Sequence, residues 1–321
     1  MIWKKGFASC IVLFVLLSFS SIIRVGASSG MWNQTYGGAS FDGAYALVET
    51  SDGGFALTGS TDSFGAGNAD FWLVKTDASG NMEWNQTYGG AENDGAYALV
   101  ETSDGGFALT GFTDSFGAGD VDFWLVKTDG SGNVEWNQTY GGASFDGTLA
   151  LVETSDGGFA LTGFTDSFGA GDADFWLVKT DASGNVEWNQ TYGGAENNYA
   201  YALVETSDGG FALTGGIASF GAGDADFWLV KTDTSGNVEW NQTYGGASFD
   251  GAYALVETSD GGFALTGETD SFGAGDTDFW LVKTDENGII PEFSSWVILP
   301  LFMTATLFII ILKTRRLQLP E

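Results

Sequence analysis

Five near-identical units of 52 residues follow one another between residues 31 and 288, and this repetition constrains the fold more than any other feature. The motif WNQTYGG first begins at Trp32. Its further copies begin at Trp84, Trp136, Trp188 and Trp240. A fixed period of about 50 residues is typical of propellers and of arrays of supersecondary units. The sequence therefore predicts a stack of small repeated sheets.

Each unit divides into four predicted strands. In the first unit they span residues 31–36, 44–50, 55–60 and 71–76, which are rich in aromatic and β-branched residues. The turn sequences SDGG and DASGN alternate with the longer connections GGASFDG and TDSFGAGNAD. Four antiparallel strands repeated radially form the blades of a propeller. The predicted fold is all-β: a five-bladed β-propeller of four-stranded blades.

The order of the strands predicts how the ring closes. No sixth copy of WNQTYGG follows the fifth unit, which therefore lacks its outer strand. We expect the N-terminal strand, including Tyr36, to pair with residues 278–285 around Leu281 and to complete the last blade, which leaves no unpaired edge. An open or oligomeric array is the alternative, and it would leave one unit incomplete.

The aromatic residues of each unit are predicted to form the core between blades. Each unit contributes two tryptophans, such as Trp32 and Trp72, together with Phe55 and Phe71. Aromatic side chains bury the largest apolar areas, so packing is their default role. An aromatic platform for a ligand is the alternative interpretation.

The segments DGGFALTG and DFWLVKTD, which recur in every unit, resemble the Kelch-like propeller repeats of secreted microbial proteins. This resemblance spans residues 31–288 and implies a propeller. It implies little about a ligand, because propellers carry many unrelated functions.

The N-terminal 27 residues have the pattern of a signal peptide. Lys4 and Lys5 precede an apolar run, and small residues end at Ala27, where we predict cleavage. A retained N-terminal anchor is the alternative. The only cysteine, Cys10, lies within this segment, so the predicted mature protein, which begins at Ser28, has no thiol or disulfide.

The C-terminal residues 291–321 predict a membrane anchor with the repeats outside the cell. Residues 293–312 are free of charge and long enough to span a bilayer as a helix, and Lys313 to Arg316 form a basic cytoplasmic end. Together with Pro291, Glu292 and Phe293, this tail resembles the archaeal PEF-CTERM sorting signal, which implies recognition and processing by an archaeosortase-like enzyme. A retained transmembrane helix is the alternative.

Acidic residues dominate the repeats, with 40 Asp and Glu against five Lys between Ser28 and Ile290. Such a charge repels nucleic acid and attracts cations. Ca²⁺ favours carboxylate and carbonyl oxygens, which the Asp-containing long loops offer on one face of the predicted propeller. The candidate calcium ligands are Asp42, Asp62, Asp70, Asp94, Asp114, Asp120, Asp122, Asp146, Asp166, Asp172 and Asp174. The alternative is that these aspartates only form turns.

The composition argues against catalysis. The chain has no histidine, so serine triads and ordinary zinc sites are excluded. A carboxylate glycosidase remains the alternative, and it would require unique acids in one blade. The departures from the repeat at Thr148, Leu149, Asn198, Tyr199 and 216–218 add none. We therefore predict a non-catalytic surface propeller for binding, adhesion or surface-layer structure, with a glycan or surface protein as the expected ligand.

Each copy of the opening motif also contains an N-glycosylation sequon. The acceptor residues are Asn33, Asn85, Asn137, Asn189 and Asn241. If the outer strands carry them, glycans would decorate the rim. The alternative is that Asn and Thr merely suit an exposed strand.

Overall fold

The computed structural model describes residues 31–290, which form nineteen strands in five antiparallel sheets. The first sheet contains β1 (Asp42–Glu49), β2 (Phe55–Thr61), β3 (Asp70–Thr76) and β4 (Met82–Tyr88). The second contains β5 (Asp94–Glu101), β6 (Phe107–Thr113), β7 (Asp122–Thr128) and β8 (Val134–Tyr140). The third contains β9 (Asp146–Glu153), β10 (Phe159–Thr165), β11 (Asp174–Thr180) and β12 (Val186–Tyr192). The fourth contains β13 (Asn198–Glu205), β14 (Phe211–Ile217), β15 (Asp226–Thr232) and β16 (Val238–Tyr244). The fifth contains β17 (Asp250–Glu257), β18 (Phe263–Thr269) and β19 (Asp278–Lys283).

Consecutive strands of each sheet are hydrogen-bonded neighbours, as the predicted blades require. The tight turns depend on glycine: Gly53, between β1 and β2, has a φ of 84°, a conformation that costs a glycine nothing. Among the described residues, which contain no helix, no segment could span a membrane as one. The predicted signal peptide, the membrane span 293–312 and the PEF residues lie outside the described residues.

The sheets pack face to face, and the core lies in the joints between them. At the first joint, Phe71 and Leu73 of the first sheet contact Leu109 and Trp124 of the second. The rings of Phe71 and Trp124 have centroids 4.7 Å apart. The same set recurs at the next three joints. The prediction that the tryptophans and phenylalanines of the repeat form core is therefore confirmed for these positions.

Polar contacts repeat at every joint as well. Ser51 donates its backbone N–H and its hydroxyl to the Glu101 carboxylate at 2.8 Å, which joins the first sheet to the second. Tyr88 of the first sheet donates its hydroxyl to the Gly132 carbonyl at 2.8 Å. Each joint is thus specified by both apolar packing and hydrogen bonds.

The predicted pairing of the N-terminal strand with β19 is not formed. Residues 31–38 have no strand structure, and within residues 31–290 β19 pairs with β18 alone, so the fifth sheet has three strands instead of four. The N-terminal segment contacts the first sheet instead. Trp32 meets Phe55 edge-on at 5.8 Å, and Tyr36 donates its hydroxyl to the Gly80 carbonyl at 2.6 Å. These contacts hold it in place without strand pairing.

The two end faces of the stack are therefore open to solvent. On the fifth sheet, Phe279 is 100% exposed and Leu281 is 70% exposed, whereas their equivalents Phe71 and Leu73 are fully buried. On the first sheet, Leu47 is 61% exposed, whereas its equivalent Leu99 is buried. Each end face thus has the residues of an inner joint without the facing sheet.

Candidate functional site: an aromatic cleft on the acidic face

The first strands of consecutive sheets contact each other, so they form the inner side of the stack. Beside them lies a cleft of about 480 Å³ that the first three sheets share. Tyr45, Tyr97 and Leu149 line it from the first strands, and Phe112 and Phe164 line it from the second strands. A cleft of this size accommodates a small organic ligand or one to a few sugar rings.

Aromatic contacts order the cleft walls. The rings of Tyr45 and Tyr97 lie 5.3 Å apart, and Tyr97 lies 5.8 Å from Phe112. Phe164 stacks on Phe145 at 5.3 Å, with an angle of 5° between the ring planes. These contacts fix the ring orientations, so the walls present flat apolar surfaces. Such surfaces suit the apolar face of a sugar or an organic cation.

The units differ from one another at positions that meet this cleft, and also in the tight turn after the third strand, where the equivalent residues are Ala78, Gly130, Ala182, Thr234 and Glu286. The sixth residue of the second strand of each sheet is variable, although the five residues before it are identical in every unit. The residues at this position are Ser60, Phe112, Phe164, Gly216 and Glu268. Three of them line the cleft. The copied repeat thus presents different side chains to the cleft in successive units.

Glu268 is a functional candidate that the sequence analysis missed. It is the one acid at this variable position, so the statement that departures from the repeat add no acid is wrong. Its carboxylate accepts a 2.6 Å hydrogen bond from the Tyr253 hydroxyl, and Tyr253 lies beside Tyr201 with ring centroids 5.1 Å apart. Aligning the five units column by column would have found it.

The predicted calcium ligands fall into three groups. Asp42, Asp94 and Asp146 begin the first strands, and Asp70, Asp122 and Asp174 begin the third strands. All of these except Asp42 are buried. The third group lies in the long loops: Asp62, Asp114, Asp120, Asp166 and Asp172. Among residues 31–290, no group of three or more acids is arranged to hold a metal ion.

The buried aspartates have definite hydrogen-bond partners in the loops. Asp94 accepts from the Gly90 N–H and from the hydroxyls of Thr113 and Ser115, which organises the long loop, as the turn-forming interpretation expects. Burial raises the pKa of Asp70, and the nearby Asp94 carboxylate raises it further. Binding of calcium by these residues stays a prediction.

All five lysines of the described region lie away from the cleft, at the ends of the third strands beside the tight turns. Lys127 is buried, and its Nζ donates to Asp104 at 2.9 Å and to Glu135 at 2.8 Å. Lys75, Lys179 and Lys231 repeat this arrangement. Within residues 31–290 the long-loop face therefore has carboxylates without a balancing lysine, which disfavours anionic ligands.

This lysine arrangement predicts a loss of stability in acid. The hydrogen bond from Lys127 lowers the pKa of Asp104 to about 2, below the unfolded value of about 3.9. The stabilisation is therefore complete above the unfolded pKa and is lost as the pH falls from about 4 towards 2. Urea unfolding across this pH range should show a smaller decline in the free energy of unfolding for the double variant Lys127→Met, Lys179→Met than for the wild type. Equal declines in the two proteins would show that the buried lysine ion pairs do not cause the loss of stability in acid.

The five sequon asparagines are exposed, and their glycosylation stays a prediction. Asn85 lies on β4, and its side-chain carbonyl accepts a 3.1 Å hydrogen bond from the Trp72 indole N–H. The same bond joins Asn137 to Trp124 and Asn189 to Trp176. A buried indole N–H requires an acceptor, so these residues have a structural role that the sequence analysis did not anticipate.

The five antiparallel sheets, four with four strands and one with three, define a β-propeller-type repeat protein. No protein-family model matches the sequence. Regulatory protein FlaEY of Caulobacter vibrioides is 27% identical over 188 residues, which cover 50% of this chain and 19% of that protein. A puromycin hydrolase structure matches 78% of this chain and 38% of its own, with 14% identity and a TM-score of 0.48. The structure of Sqt1 from Chaetomium thermophilum matches 78% of this chain and 60% of the Sqt1 chain, with 13% identity and a TM-score of 0.43.

Proposed function

We propose that this chain is a non-catalytic, surface-anchored propeller that binds a glycan in the aromatic cleft. The observation that carries the proposal is the aromatic cleft itself, at which the units diverge through Ser60, Phe112 and Phe164. Flat aromatic walls suit sugar rings, and the carboxylates near the cleft can accept hydrogen bonds from sugar hydroxyls. The absence of a described lysine on this face favours neutral or cationic ligands. Export and membrane anchoring complete the proposal and rest on the sequence pattern at the two ends.

A glycan array probed with the purified full-length protein tests this function. A bound glycan should then lose at least tenfold in affinity with Phe112→Ala, because the aromatic wall is removed. Phe116→Ala is the matched control: it removes an exposed phenylalanine of the same unit that lies against Trp124 outside the cleft. Equal affinities of the two variants would contradict binding in the cleft.

A glycosidase is the rival activity, and Glu268 is the observation that favours it. Glycosidases use two carboxylates about 5 to 10 Å apart, whereas the contact partner of Glu268 is the hydroxyl of Tyr253. We expect no release of reducing sugar from glycans that bind. Release that is abolished by Glu268→Gln would replace the binding proposal with a catalytic one.

We also propose that the ring closes in solution through the N-terminal segment. Trp32 and Tyr36 already make the contacts with the first sheet that Trp84 and Tyr88 of β4 make with the second. Pairing of this segment with β19 would bury Phe279 and would bring Ser259 to Glu49, as Ser51 meets Glu101. Closure would bury both exposed end faces against residues of the same chain.

A further inference from the structure

Two buried carboxylates face each other at three of the four joints between described sheets. At the first joint they belong to Asp70, which begins β3, and Asp94, which begins β5 of the next sheet. Asp70 is 1% exposed and Asp94 is fully buried. We call these residues the joint pairs, and they are Asp70 with Asp94, Asp122 with Asp146, and Asp226 with Asp250.

The glycine beside each pair leaves a small space between the two carboxylates. A Cβ on Gly89 would lie 1.7 Å from Asp70 Oδ1 and 2.9 Å from Asp94 Oδ2. Gly141 and Gly245 stand in the same relation to the other two pairs. Both oxygens therefore point at one position, where a side chain of any other residue would collide with them.

One oxygen of each pair has no partner among the described residues. Asp70 Oδ2 accepts from the Ala66 N–H at 2.7 Å, but Asp70 Oδ1 accepts no hydrogen bond. Asp122 Oδ1 and Asp226 Oδ1 are likewise buried and unpartnered. A buried carboxylate oxygen beside a second carboxylate is costly unless a positive charge or a proton compensates it.

The joint between the third and fourth sheets shows what occupies this position when the second acid is absent. Asn198 stands where the other units have Asp, and its Nδ2 donates to Asp174 Oδ1 at 3.2 Å. The same Nδ2 also lies 3.2 Å from the Ala173 carbonyl, 2.7 Å from the Glu196 carbonyl and 3.0 Å from Ser219 Oγ. Four oxygens surround one atom that carries only two hydrogens. The position is thus rich in oxygen ligands.

We infer that each of the three joint pairs binds a hard divalent cation such as Ca²⁺ between its carboxylates. Asp70 Oδ1 and Asp94 Oδ2 supply charge at the first joint. The Ala69 carbonyl and Ser115 Oγ, equivalent to the oxygens around Asn198 Nδ2, supply neutral oxygens. Carboxylate, carbonyl and hydroxyl oxygens are the ligands that Ca²⁺ takes. The cation links consecutive sheets, and at the joint between the third and fourth sheets the Asn198 amide replaces it.

Calorimetric titration of Ca²⁺ into the full-length protein tests this inference, in about 1 M NaCl, where the Debye length falls to about 3 Å and general charge screening is saturated. Asp94→Asn should lose one equivalent of bound Ca²⁺. It should remain folded, because it recreates the natural Asn198 arrangement. Asn198→Asp should gain one equivalent. Asp62→Asn, which changes an exposed loop acid outside the pairs, is the control and should change nothing.

The melting temperature provides a second readout. A cation that binds only the folded state stabilises it by mass action, so millimolar Ca²⁺ should raise the wild-type melting temperature more than that of Asp94→Asn. An unchanged Ca²⁺ stoichiometry in Asp94→Asn would overturn the inference. Absence of Ca²⁺ binding would also overturn it. A wild-type stability that falls with rising pH, without such a fall in Asp94→Asn, would then assign a shared proton to the pair.

Discussion

In the closed ring that we propose, Phe279→Ala is expected to destabilise the protein by about 3 to 5 kcal/mol, as much as Phe123→Ala, because closure would bury Phe279 in a joint. Phe123 is fully buried against Trp176, with ring centroids 4.7 Å apart. Phe279 holds the same position in the fifth unit but is fully exposed in the open stack. Urea unfolding of the two variants measures the difference. A negligible effect of Phe279→Ala would show that the end face stays open.

A disulfide can establish the same closure directly. In the first sheet Leu73 pairs with Gln86, and the repeat places Leu281 opposite Gln34 in a closed ring. In a Cys10→Ser background, Gln34→Cys with Leu281→Cys should therefore form an intramolecular disulfide under mild oxidation. Leu73→Cys with Gln86→Cys is the positive control. Disulfide-linked dimers in place of the intramolecular product would indicate that the end faces join different copies.

The strands could be predicted from the sequence because their signals are local. The predicted second strand at 44–50 corresponds to β1 at Asp42–Glu49, and the third at 55–60 corresponds to β2 at Phe55–Thr61. Turn residues and strand-forming residues lie next to each other in the chain, so their pattern is sufficient. The prediction that the fifth unit lacks an outer strand of its own is confirmed, because the fifth sheet has three strands.

Residues 31–36 show where local signals fail. They share the sequence WNQTY with β4, yet they have no strand structure. A strand requires a hydrogen-bonded neighbour, and the neighbour of β4 is the adjacent β3, whereas the expected neighbour of residues 31–36 lies about 250 residues away in the chain. Propensity alone cannot supply that contact.

The candidate sites depend on contacts between units, which repeat patterns do not reveal. The proximity of Asp70 to Asp94 follows from packing of one sheet on the next, and both residues appeared in the sequence only as loop acids of one face. The position of Glu268 beside Tyr253 depends on strand register in the fifth unit. The sequence shows that the sixth residue of the second strand varies between units. That this residue faces the inner side of the stack depends on the strand register in the fold.

Deletion of residues 31–38 is expected to lower the melting temperature by on the order of 10 °C, because several kcal/mol of packing disappear and each costs about 2 to 4 °C in a domain of this size. The deletion removes the packing of Trp32 on Phe55 and the hydrogen bond from Tyr36 to Gly80. In the closed ring it also removes the pairing with β19. Differential scanning calorimetry of the deleted and parent proteins measures the change.

Insertion of the same eight residues after Ile290 distinguishes the closed ring from the open stack. In the first unit Trp84 lies four residues after the turn glycine Gly80, and this insertion gives the relocated tryptophan the same spacing from Gly288. If the ring closes, the relocated strand pairs with β19 and still covers Phe55 of the first sheet, so the melting temperature should return to the parent value. In an open stack the relocated strand cannot reach Phe55, which then stays uncovered. Closure by the N-terminal segment would therefore be contradicted if, in this variant, Phe55 becomes solvent-exposed and the melting temperature stays low.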